Sequence, residues 1–150
     1  MPIASREEMK AANGDGFDAA DYVHYALDAA GLGEDFVLAL TDLLNPTFVE
    51  RDGRLLVESV GAPQRYAAYR QQGMSAVEAE YWANLTLVSE LLADLDVPQA
   101  KSLAQVFLWS WQNALTAQYP SATQLARILE DKQEGEVFVT VAEPTAGLSR

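Results

Sequence analysis

Residues 75–119 read SAVEAEYWANLTLVSELLADLDVPQAKSLAQVFLWSWQNALTAQY, and the chain's architecture turns on how this stretch folds. Its periodicity predicts two long helices, 75–94 and 98–118, joined by a tight acidic turn at Leu95-Asp96-Val97. Ser75 and Glu78 fit a capping box at the first helix start, where side chains satisfy free backbone N–H groups. Val77, Tyr81, Leu85, Val88, Leu92 and Leu95 then recur at steps of three and four, which places them on one stripe. Pro98 opens the second helix, where its missing N–H costs nothing. Its stripe is Ala100, Leu103, Ala104, Phe107, Trp111, Ala114 and Leu115. So short a turn makes the two helices antiparallel neighbours.

Other elements extend outward from this pair. Ser5 caps a short helix to Ala12, and Asp18 caps another to about Ala30, ended by Gly31 and Gly33. The second should bury Ala19, Tyr22, Val23, Ala26, Leu27 and Ala30. A third helix spans 34–44, with Glu34 and Asp35 at its positive end, and Pro46 stops it. Residues 47–59 read as a β-hairpin, because Asp52-Gly53 suits a two-residue turn with positive φ angles. That register pairs Phe48 with Val57, Val49 with Leu56, Glu50 with Leu55 and Arg51 with Arg54. Residues 63–72 form a helix carrying Arg65, Tyr66, Tyr69 and Arg70. Ser121 with Gln124 starts a further helix to about Asp131, with Leu125, Ile128 and Leu129 apolar. The other strand is 136–142, where Val137, Val139 and Val141 alternate with Phe138 and Thr140, and it should join the hairpin in one small antiparallel sheet.

The expected fold is therefore mainly α, of the α+β class. A helical bundle surrounds the central pair, beside a small sheet from hairpin 47–59 and strand 136–142. The 150 residues, 49% hydrophobic, suit one α-rich domain over 1–150 with a loose tail at 144–150. Without cysteine there is no disulfide or thiolate metal site. No secretory leader or membrane span is legible, and a cytoplasmic setting is expected. Asn84-Leu85-Thr86 matches a glycosylation pattern by chance, since it falls mid-helix.

The net charge of −12 argues against nucleic acid, which needs clustered Lys and Arg. Residues 1–60 hold four basic and twelve acidic residues, and from Ala11 to Glu50 there is no Lys or Arg. Such a block is either a solvated face or a docking surface for a basic protein partner.

Candidate chemistry is sparse. Asn13-Gly14-Asp15-Gly16 resembles the middle of an EF-hand or dockerin calcium loop. Aligning Gly16 with that family's glycine leaves Ala11 and Tyr22 at two important ligand positions, so a plain turn is expected and no metal or cofactor. Asp21, His24 and Asp28 share one helix face, a pattern that can tune a base, although a lone His flanked by acids is ordinarily just solvated. No nucleophile or phosphate-binding motif occurs. Trp109 points about 160° from Phe107 around the helix. With both faces of a central pair buried, Trp109 should be covered by its own chain. The alternative is exposure to a partner, including a homodimer through this face.

Three function classes follow. The favoured one is a non-enzymatic acidic interaction module, such as an inhibitor or antidote of a basic protein. The second is a small-ligand protein with an aromatic pocket of Trp82, Trp109, Trp111, Tyr66 and Tyr69, in which Arg65 or Arg70 meets an anionic group. The third is an enzyme using carboxylates and His24.

Overall fold

The computed structural model describes residues 2–91 and 95–147. The chain divides into two compact units, residues 1–40 and 41–150. The class is α+β, with six α-helices and two small antiparallel sheets among the described residues.

The first unit is helical. Helix α1 (Arg6–Asn13) starts at a complete capping box of Ser5 and Glu8, and α2 (Ala19–Ala30) at one of Asp18 and Asp21. Gly31 ends α2 in the left-handed conformation, which a residue without Cβ adopts at no steric cost. Helix α3 (Glu34–Leu44) begins in this unit and ends in the second. None of residues 2–40 is buried. The face of α2 expected to pack is therefore not a buried face: Val23 remains 54% exposed.

The second unit holds the core. Strands β1 (Phe48–Arg51) and β2 (Arg54–Val57) form the hairpin in the anticipated register, including Arg51 opposite Arg54. Asp52 and Gly53 both take positive φ, as the two-residue turn requires. Helix α4 (Ala62–Gln71) follows, then α5 (Ala76–Asn84). Helix α6 (Val97–Gln118) starts at a capping box of Asp96 and Gln99.

The first half of the central pair is not one long helix. After Asn84 the chain becomes extended, forms the two-residue strand β3 (Thr86–Leu87), and makes a 3-10 turn at Val88–Glu90. Leu92 and Asp94 lie outside the described residues. The break falls where tertiary bonds outbid the helix. The buried Asn84 amide donates to the Leu55 and Val141 carbonyls, both at 2.8 Å, and accepts from the Val57 N–H at 2.9 Å. Arg65 collects the Ala83 carbonyl that a continuing helix would have used. Helix α5 packs on α4, β2 and strand β5 (Glu136–Ala142) rather than pairing with α6.

The segment expected as a helix near 121–131 is instead strand β4 (Leu125–Asp131). Its apolar residues keep helical spacing, and pairing along its whole length with β5 (Glu136–Ala142) overrides that local preference. Asp131 accepts the Gln133 and Glu134 N–H groups, and Gly135 takes positive φ to close the turn. The Gln124 side chain, rather than capping a helix, reaches Glu80 and the Gly53 carbonyl.

The C-terminal strand does not join the hairpin. It is the centre of a separate sheet ordered β3-β5-β4, and the hairpin stays two-stranded. Asn84 bridges the two, bonding β2 on one side and β5 on the other. Alternate residues of β5 serve different layers. Val137, Val139 and Val141 meet Phe107, Trp111 and the rest of the anticipated α6 stripe, while Ala142 packs with Tyr81 and Thr140 donates to the Tyr81 carbonyl. Residues 144–147 pack back on the unit. Ala146 is buried, Arg127 binds the Pro144 and Ala146 carbonyls, and the Gly147 N–H donates to Glu78. Residues 148–150 lie outside the described residues.

Candidate functional site

In the first unit, Asp21 and His24 line a shallow concavity of about 430 Å³ with Asn13, Gly16, Phe17 and Tyr25. All three residues of the Asp21–His24–Asp28 face are exposed. Asp21 is committed locally, since its carboxylate accepts the Asp18 N–H at 2.9 Å. Among the described residues no cluster of three or more acids or histidines could hold a metal ion. The Asn13–Gly16 loop acts as a helix end, in which Gly14 donates to the Lys10 carbonyl and Asn13 to that of Met9.

The chemical character of this unit lies in its surface. Residues 1–40 carry two basic and eight acidic residues, net −6, half of the chain's charge in about a quarter of its length. Among those acids stand exposed apolar side chains, Val23, Leu32, Phe36 and Leu38.

The aromatic pocket is not assembled. Trp111 is buried in the core and donates its indole N–H to the Leu43 carbonyl at 2.8 Å. Tyr66 is buried against α5 and its hydroxyl donates to Asp52 at 2.8 Å, pinning the hairpin turn to α4. Trp82 meets Tyr81 edge-on. Trp109 is not covered by its own chain: it is 68% exposed on the outer face of α6. The two arginines are engaged by backbone carbonyls. Arg65 spends its guanidinium on the Val60 and Ala83 carbonyls, and Arg70 binds the Met74 carbonyl.

One arrangement was not legible in the sequence. Glu80 is fully buried, and its carboxylate accepts from the Leu55 N–H at 2.7 Å, Gln124 at 2.9 Å and Arg54 at 3.3 Å. Burial pushes its pKa above the usual carboxylate range, against the opposing pull of these donors and Arg54. Arg54 also meets Glu143 at 3.1 Å, which in turn accepts from Thr123. Arg54 and Gln124 border an open cleft of about 430 Å³ between the hairpin and the 118–124 segment. Because both Glu80 oxygens are occupied by donors of the chain itself, the cluster is a clamp joining α5, β2 and the segment that leads into β4. No local motif marks it, since its members are drawn from four separate stretches.

Asn84 is unavailable for glycosylation, being buried with its amide fully engaged. Among the described residues no helix is long and apolar enough to cross a membrane. No protein family, curated protein or solved structure matches the chain.

Proposed function

We propose that the chain is a non-enzymatic acidic interaction module that docks through its first forty residues onto a basic protein, as an inhibitor or antidote would. One observation carries the reading. No residue of 2–40 is fully buried, and residues 1–40 bear a net −6 together with a set of exposed apolar side chains. An acidic surface with apolar anchors matches a basic partner twice. Long-range attraction accelerates encounter, and apolar burial then holds the complex.

Affinity capture on the full chain, read by mass spectrometry, supplies binding proteins for kinetic tests. For a basic protein recovered this way, added salt should slow association strongly and change dissociation little, because screening acts on encounter. Asp15→Lys with Asp28→Lys should lower the association rate about tenfold or more. These exposed acids lie outside the capping boxes, so the fold is spared. Glu90→Lys with Glu134→Lys, an exposed pair in the second unit, should do much less. Equal losses from both pairs would mean that only net charge matters, and would sink the assignment to the first unit.

A further inference from the structure

We infer that the chain pairs with a second copy of itself across the outer face of α6. That helix has 22 residues and no Asp or Glu, in a chain holding 22 acids. Its single charge, Lys101, is held by Glu130 at 3.1 Å near the helix start. The outward strip of Gln105, Val106, Trp109, Asn113 and Thr116 is uncharged and exposed. Val106 is 46% and Trp109 68% exposed, one turn apart; among the described residues of this unit only Leu125 is a further large apolar side chain so open. A Trp held in water on a rigid helix is the residue type that most often anchors an interface.

Charge identifies the occupant. A basic protein is drawn to the acids, and this strip offers none. A second copy, itself carrying −12, is repelled where acids meet acids and can approach closely at a face that lacks them. The geometry suits a two-fold pair. The midpoint of α6 falls between Val106 and Trp109, so an axis there runs the helices antiparallel and sets Val106 of each copy against Trp109 of the other. Ser102 of each then faces Asn113 of the other, both able to hydrogen-bond. Antiparallel alignment also opposes the two helix dipoles favourably.

Sedimentation equilibrium of the full chain tests this. With rising concentration the mass should climb from 16.4 kDa toward twice that value. Salt should promote pairing, because it screens the mutual repulsion while the apolar contact needs no charge. This sign is opposite to that expected for the basic partner, so the two readings fail separately. Trp109→Glu should weaken pairing about tenfold or more, while Trp109→Phe retains most of it. Near-ultraviolet dichroism of the buried Trp111 shows whether each variant stays folded. A monomer at every concentration and salt, or a dimer that a folded Trp109→Glu leaves intact, would overturn the inference.

Discussion

Two buried polar side chains, Asn84 and Glu80, tie distant stretches of the core together. Asn84 supplies one acceptor and two donors to three backbone groups that no strand reaches. Replacing it with Ala leaves the Leu55 and Val141 carbonyls and the Val57 N–H without that partner. The expected loss is about 3 kcal/mol, read from denaturant unfolding, since an unmet buried group costs about 1–3 kcal/mol. A loss under about 0.5 kcal/mol, the range of ordinary surface changes, would show that the bridge is dispensable. Glu80 makes a pH-dependent contribution. Burial raises its folded pKa above the unfolded value, so the folded state holds this proton to higher pH. The stability it contributes is full below the unfolded pKa of about 4.5 and is lost as pH rises through the folded value. The melting temperature of the wild type, relative to Glu80→Gln, should therefore increase as pH falls from neutrality into the acidic carboxylate range. A difference that does not change with pH would mean that Glu80 titrates alike in both states.

Among the elements, β5 carries the most. It is the central strand of its sheet, and its two faces bury against different helices. Deleting residues 136–150 removes Val137, Val139 and Val141 from the core and leaves both β3 and β4 unpaired. The deletion should abolish cooperative unfolding, measured by dichroism on heating, because a remaining hairpin and exposed edges cannot persist alone. A truncated chain that still melts in one sharp transition would show that the core survives without the strand. Helix α6 is the other principal element. One face supplies Ala100, Ala104, Phe107, Trp111, Ala114 and Leu115 to the core, and its opposite face bears Trp109.

For the molecule as a whole, the distribution of charge separates two kinds of surface. The first unit concentrates acids among exposed apolar residues, and α6 presents apolar residues with no acids. Electrostatics then assigns opposite salt responses to the two. Attraction to a basic protein weakens as the Debye length shrinks from about 10 Å at 0.1 M salt to about 3 Å at 1 M, whereas pairing of like-charged copies strengthens. Measuring both associations over one salt series tells which surface is in use.

Sequence alone determined whatever is fixed by neighbours within a few residues. The caps at Ser5 and Asp18, the glycine stop at Gly31, the Asp52-Gly53 turn with its register, the α6 stripe and strand β5 were all legible, because each is a short-range pattern of hydrogen bonding or side-chain period. Tertiary structure decided the remainder. Residues after Asn84 keep helical spacing, yet leave the helix because Asn84 and Thr86 both bind β5, more than fifty positions away. Residues 125–131 carry helical spacing, yet they form a strand because β5 pairs with them along their whole length. Arg65 and Tyr66 looked free to meet a ligand until the backbone and Asp52 claimed them. Trp109 looked destined for cover because α6 seemed central, but only one of its faces meets the sheet. The clamp around Glu80 had no signature because a buried charge is made tolerable by partners from distant stretches, and only the folded chain brings them together.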